Sequence, residues 1–153
     1  MTKARRRAAR PKPAIGWREW VALPDLGVES IKAKVDTGAR TSALHVFDLE
    51  VVARDGREWA RFEIHPVQDS AEAAVRAEAP IDEWREIKSS NGQVERRPVV
   101  VTRVGLMESE WPIEVTLTNR DEMGFRMLLG RQAVRRRFAV DPGRSYLAGT
   151  AKP

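Results

Sequence analysis

From Ile15 onward the chain is a succession of short runs in which apolar and polar residues alternate, each closed by a turn signal. That pattern leaves little room for anything but β-structure. In residues 28–36, Ile31, Ala33 and Val35 share one face while Lys32, Lys34 and Asp36 share the other, and the run stops at Thr37-Gly38-Ala39, where the backbone must turn. Residues 15–23 are rich in Trp and β-formers, and Pro24-Asp25-Leu26-Gly27 supplies turn chemistry after them. Residues 45–64 read as a hairpin around Asp55-Gly56, with Phe47, Leu49 and Val51 before the turn and Ala60, Phe62 and Ile64 after it.

The remaining runs follow the same logic. Residues 66–80 are Ala- and acid-rich without a clear strand pattern and read as a surface loop or a short helix. Residues 84–104 suggest a second hairpin, tipped by Ser89-Ser90-Asn91-Gly92, and residues 111–117 alternate through Ile113, Val115 and Leu117. Met127-Leu128-Leu129 stops at Gly130; residues 132–136 can form one or two helical turns, and residues 138–140 a closing strand. Many short strands with Gly-containing turns predict an all-β chain, closed or sandwiched, and no internal repeat is visible.

Length and charge fix the organisation. A chain of 153 residues fits one domain with its own core. The net charge of +5 is misleading as a property of that domain, because Lys3, Arg5, Arg6, Arg7, Arg10 and Lys12 stand within residues 1–13 without a single acid. Removing those six from 27 basic residues leaves 21 against 22 acids, a balance of −1. The expected division is a disordered basic tail over 1–13, a domain over 14–148 and a short tail over 149–153. Such a basic tail adheres to nucleic acid or anionic surfaces without being built for either, so a nucleic-acid partner is not expected. The absence of cysteine excludes disulfides, thiol catalysis and cysteine-bound zinc, and fits a reducing cytoplasm. Charges return at Arg18 and Glu19, too soon for an export signal, and no run reaches membrane-spanning length. The expectation is a cytoplasmic protein with no membrane partner.

Two segments carry chemistry: Lys34-Val35-Asp36-Thr37-Gly38-Ala39, a strand entering an Asp-Thr-Gly turn, and Met127-Leu128-Leu129-Gly130-Arg131. Peptide hydrolysis without a metal or a nucleophilic side chain needs a base to activate water and an acid to protonate the carbonyl oxygen. Two carboxylates in contact do both, since neighbouring like charges cannot both ionise readily and so share one proton. Asp36 on a tight turn is placed for that role. Gly38 lets the backbone bend and bring its N–H to the carboxylate, and the Thr37 hydroxyl is able to brace two such turns. Asp-Thr-Gly alone is a weak signal; the preceding strand and the distant Leu-Leu-Gly-Arg give it weight.

With these segments in view, the chain resembles the bacterial retropepsin-like aspartic peptidases often labelled ATP-dependent zinc proteases and linked with ribosomal-protein glutamate ligases of the ATP-grasp type. The resemblance runs over about residues 14–148 and rests on Val35-Asp36-Thr37-Gly38-Ala39-Arg40-Thr41-Ser42-Ala43-Leu44-His45 and Lys88-Ser89-Ser90-Asn91-Gly92. It extends to Glu95-Arg96-Arg97-Pro98-Val99, Leu117-Thr118-Asn119-Arg120, Leu128-Leu129-Gly130-Arg131 and Val140-Asp141-Pro142. It implies a closed acid-protease β-barrel with one lobe per chain, Asp36 as the catalytic aspartate and Thr37 and Gly38 beside it. Residues 127–130 then pack behind the catalytic loop, and residues 86–96 stand as a flap tipped by Asn91-Gly92. Ala39, Arg40, Ser90, Asn91, Gly92 and Arg131 are the implied substrate-binding residues. Viral retropepsins place an Asp after Asp-Thr-Gly-Ala to partner the Arg of the Gly-Arg segment; here Arg40 stands there, so Arg131 loses that partner.

Counting sets the expected assembly. The chain has no second Asp-Thr-Gly or Asp-Ser-Gly, so one copy provides half a dyad and a two-fold homodimer completes it. No metal or cofactor is expected: His45 and His65 are the only histidines, and neither a His-Glu-x-x-His nor a Gly-x-x-x-x-Gly-Lys motif is present. ATP dependence would then come from an associated ligase. Arg40, Arg96, Arg97 and Arg131 either line a cleft that favours acidic peptides or serve as surface and salt-bridge residues. The five tryptophans read as packing residues rather than a base-stacking platform. The leading expectation is an aspartic endopeptidase acting on peptide or protein substrates, with glutamate-rich tails as the candidate class. The alternatives are a non-catalytic retropepsin-like binding module and a zinc-dependent peptidase.

Overall fold

The computed structural model describes residues 11–67, 73–89, 91–120 and 124–149. Among the described residues twelve strands and two helical turns appear, in the order β1 (Ala14–Gly16), β2 (Arg18–Leu23), a 3-10 turn (Pro24–Leu26), β3 (Val28–Asp36), β4 (Ser42–His45), β5 (Phe47–Arg54) and β6 (Arg57–Ile64). They continue with β7 (Val75–Pro80), β8 (Glu83–Lys88), β9 (Val94–Leu106), β10 (Ser109–Thr118), β11 (Met127–Gly130), the helical turn α1 (Arg131–Val134) and β12 (Ala139–Asp141). The all-β expectation holds.

The principal sheet runs β10-β4-β11-β3-β2-β9-β8, and β9 pairs a second time with β10. Six strands therefore close on themselves, with β8 appended outside the ring on β9. Closure removes the exposed edges that an open sheet of this length would present. The alternation of β3 is realised: Ile31, Ala33 and Val35 are buried, as are Leu44, Val100, Val104, Val115, Leu117, Met127 and Leu129 from neighbouring strands. A second antiparallel sheet, β5-β6-β7, turns Ala60, Phe62 and Ile64 into the same core. The first and last strands, β1 and β12, pair in parallel with Ile15 opposite Val140.

One expectation needs correction. The stretch 66–80 is not simply a loop or a short helix, since 75–80 form β7, paired antiparallel to β6 with Val75 opposite Ile64 and Trp59 opposite Pro80. The strand alternates Val75, Ala77 and Ala79 inward with Arg76 and Glu78 outward. Small alanines make the apolar face inconspicuous, and the pairing partner lies across a connection rather than a tight turn. Residues 68–72 lie outside the described residues.

Among the described residues Glu19 is the most deeply buried charged residue, fully shielded from solvent. Its Oε2 accepts the N–H of Gly16 at 2.6 Å and of Leu147 at 2.9 Å, and its Oε1 the N–H of Ala148 at 3.0 Å. A carboxylate is tolerated here because three amides replace its water. It ties the start of the domain to its end.

The tryptophans serve packing. Trp111 is buried and donates through Nε1 to the Ala133 carbonyl at 3.0 Å. Each of the five carries a cation over its ring: Arg18 over Trp17, Lys32 over Trp20, Arg54 over Trp59, Arg96 over Trp84 and Arg137 over Trp111.

Candidate active site

Asp36 is the last residue of β3, and its register partner on the parallel strand β11 is Gly130. The pairing puts the two segments singled out in the sequence side by side. Beyond Asp36 the chain turns at once: the Ala39 N–H donates to the Asp36 carbonyl at 3.2 Å, and the Gly38 N–H donates to Asp36 Oδ1 at 2.9 Å. That amide fixes the carboxylate over its own turn. A Cβ on residue 38 would stand 3.2 Å from Oδ1, tighter than ordinary contact, so glycine suits the position. Asp36 is partly buried, Thr37 and Gly38 are exposed, and among the described residues Oδ2 has no protein donor.

The loop over residues 37–41 is held from behind by the start of α1. The N–H of Arg131 donates to the Ala39 carbonyl at 2.7 Å and that of Gln132 to the Arg40 carbonyl at 3.1 Å. Gly130 is required there because a Cβ would meet the Thr41 carbonyl carbon at 2.7 Å and its oxygen at 2.8 Å. Ser42 completes the support, its Oγ accepting the Gly130 N–H at 3.0 Å and its carbonyl accepting the Thr116 hydroxyl at 3.3 Å. Arg131 has replaced its missing acidic partner with the loop itself: Nη1 donates to the Thr37 carbonyl at 3.0 Å.

The hairpin β8–β9 contains the segment expected to form a flap. Across its tip the Ser89 N–H donates to the Gln93 carbonyl at 2.8 Å, the Gly92 N–H to the Ser89 carbonyl at 2.9 Å and the Gln93 N–H to Asn91 Oδ1 at 3.0 Å. The Ser89 hydroxyl also donates to Asn91 Oδ1. Gly92 sits at φ +86°, a left-handed conformation natural to glycine. Asn91 and Gly92 are exposed, and Ser90 lies outside the described residues.

The four arginines divide. Arg40 is exposed on the 37–41 loop and Arg131 lies behind it. Arg96 stacks on Trp84, and Arg97 is buried with Nε on Glu95 Oε1 at 2.5 Å and Nη1 on the Thr116 hydroxyl at 3.5 Å. Glu95 also accepts the Thr118 hydroxyl at 3.0 Å and approaches Arg120 at 3.6 Å. Arg97 is thus part of the interior framework of the hairpin.

The two histidines flank one ring. Phe47 stacks on His65 with centroids 3.8 Å apart and lies 4.6 Å from His45. Arg126 Nη1 donates to His45 Nδ1 at 2.9 Å, which leaves the imidazole proton on Nε2, and His65 Nε2 meets Glu63 Oε1 at 2.9 Å. Among the described residues no group of three or more His, Asp or Glu side chains is arranged to hold a metal ion. Among the described residues no helix is long and apolar enough to cross a membrane.

Sequence reading assigned no role to Arg85 or Glu114. Arg85 Nη1 donates to Glu114 Oε1 at 3.0 Å and to the Thr41 hydroxyl at 3.4 Å, and its Nε to Glu83 Oε2 at 2.9 Å. These residues come from three separate segments, so no local motif announces them.

A strand-end Asp-Thr-Gly loop, backed by a Gly-Arg segment within a closed β ring, defines an all-β lobe of retropepsin-like form. The chain belongs to the RimB-like family, whose description is retropepsin-like aspartic endopeptidase RimB and which matches residues 14–151. Among curated proteins it is 47% identical over 135 residues to a probable alpha-L-glutamate ligase of Shewanella halifaxensis, covering 88% of this chain and 30% of that one. A probable alpha-L-glutamate ligase of Parasynechococcus marenigrum is 46% identical over 138 residues, covering 90% of this chain and 30% of the relative. The chain therefore spans under a third of the length of these relatives. A crystal structure of a Legionella pneumophila protein of unknown function superposes with a TM-score of 0.70 at 26% identity, covering 89% of this chain and 98% of that one.

Proposed function

We propose that the chain is an aspartic endopeptidase in which Asp36 from each of two copies forms the catalytic dyad, and that its substrates are glutamate-rich protein tails. The observation that carries the reading is the Asp36 turn. Its carboxylate accepts the Gly38 N–H through Oδ1 while Oδ2 is left without a protein donor among the described residues. A second carboxylate brought against that oxygen would share its proton. One member of the pair is then base toward water and the other is acid toward the scissile carbonyl. Attack of water on the carbonyl carbon gives a tetrahedral diol. Its collapse expels the amine, which takes up a proton from one carboxyl group while a hydroxyl of the diol gives its proton to the other, so the dyad ends singly protonated.

The residues around Asp36 have supporting roles in this reading. Thr37 braces the two loops across the dimer axis. Arg131 and Gln132 hold the loop from behind, and the exposed Arg40 offers its charge to an acidic substrate. The substrate class is supported by the relatives, which are named as glutamate ligases and contain a segment similar to this chain. A peptidase that associates with such a ligase would meet proteins carrying added glutamates.

Dilution tests the assembly. Specific activity on a polyglutamate-tailed protein is expected to fall as the chain is diluted from dimer to monomer, with mass in solution measured in parallel. Statine-type peptides are expected to inhibit and chelators are not. Constant specific activity in a monomeric sample, or loss on chelation, contradicts the reading.

A further inference from the structure

We propose that Arg85 is a positioning residue that couples the β8–β9 hairpin to the loop carrying Asp36. This rests on the peptidase reading above for its catalytic consequence, though not for its structural one. Among the described residues β8 ends the principal sheet and pairs only with β9. Its outer edge therefore has no strand to hold it. Arg85 lies in the middle of β8 and reaches away from the hairpin to two other elements. Nη1 donates to Glu114 Oε1 on β10 at 3.0 Å and, more weakly, to the Thr41 hydroxyl at 3.4 Å. Nε and Nη2 both donate to Glu83 Oε2, at 2.9 and 2.5 Å.

Thr41 is the residue through which such a contact would be felt at the catalytic loop. Its backbone lies against Gly130, and the neighbouring carbonyls of Ala39 and Arg40 accept the N–H groups of Arg131 and Gln132. The loop is thus gripped from behind by the start of α1 and from the hairpin side by Arg85.

Charge argues against the simpler role of a substrate receptor. One guanidinium faces two carboxylates, Glu83 and Glu114, so the cluster is net negative and would repel an acidic side chain. Hydrogen bonds donated to Glu114 and then to Glu83 raise the Arg85 pKa above its usual range, consistent with a cation already fully engaged. A planar fork that meets two carboxylates and a hydroxyl at once is a property of arginine that lysine lacks.

The test compares wild type, Arg85→Lys and Thr41→Val. The Thr41→Val change removes the hydroxyl and leaves the pairs with Glu83 and Glu114 intact, so it answers the question even where Arg85→Lys weakens the hairpin. Amide hydrogen exchange is read at residues 37–41, 131 and 132, and kcat and KM are measured on an acidic peptide. Exchange is expected to accelerate several-fold in both variants, with kcat reduced roughly three- to ten-fold, the worth of one net hydrogen bond, and KM unchanged. Unaltered exchange, or a loss confined to KM, overturns the proposal. Should the wild type cleave nothing, the peptidase reading falls by that result alone, and the exchange rates still decide whether Arg85 couples the two elements.

Discussion

Gly130 lies so close to Thr41 that a Cβ on it would stand 2.7 Å from the Thr41 carbonyl carbon, while one residue farther on Arg131 bonds back to the Ala39 carbonyl. The glycine of the distant apolar segment is therefore a spacer that sets how near the 37–41 loop can sit to its support. Backbone is the obstructing group, so nothing flexible can yield. We expect Gly130→Ala to displace the 37–41 loop, cost about 1–3 kcal/mol of stability by overpacking, and abolish activity. Denaturant unfolding and a cleavage assay check both parts; a variant as stable and active as wild type would show the contact to be unimportant.

Glu19 gives a second prediction, on stability alone. Three backbone amides depend on its carboxylate, from Gly16 at one end of the domain and Leu147 and Ala148 at the other. Glu19→Leu keeps bulk and burial but strands those donors, each worth about 1–3 kcal/mol when left unsatisfied. The variant is expected to lose at least about 3 kcal/mol, read from its denaturation midpoint. Glu19→Gln, which retains an acceptor, should lose less.

The pair of Asp25 and Arg103 predicts a pH dependence. Hydrogen bonds from the Arg103 side chain, and then from its backbone N–H, hold the Asp25 carboxyl below its ordinary range. A carboxylate lowered by folding contributes stability above its unfolded pKa, about 3.9, and loses that contribution as pH falls through the folded value. Arg103→Gln should therefore destabilise the chain near neutral pH by a small amount, since both side chains are nearly half exposed. The gap to wild type should close in acid. A gap that persists undiminished below the folded pKa would locate the effect elsewhere.

Much of the fold was legible because many of the strands carry one apolar face and one polar face, as in β3. The strand β3 and the loop after it could be drawn from residues 28–39 alone, and both hairpins followed from their turns. Where reading failed, the missing information was spatial. In β7 the inward residues are Val75, Ala77 and Ala79, too small to stand out beside Arg76 and Glu78. Glu19 carried a signal that went unused: it lies in phase with buried Val21 and Leu23, so its carboxylate had to face the interior. Arg85, Glu114 and Thr41 meet across three segments with no shared motif. Arg97, left by the sequence between a cleft role and a salt-bridge role, is buried in the hairpin framework, where Glu95 and Thr116 satisfy it.

Replacing Asp36 by asparagine is the most direct trial of the central claim. The amide keeps an oxygen for the Gly38 N–H but cannot share a proton with a second carboxyl group. The account predicts an unchanged unfolding midpoint and cleavage of a polyglutamate-tailed protein reduced by at least roughly a hundred-fold. Cleavage at the wild-type rate by a correctly folded Asp36→Asn chain would contradict it.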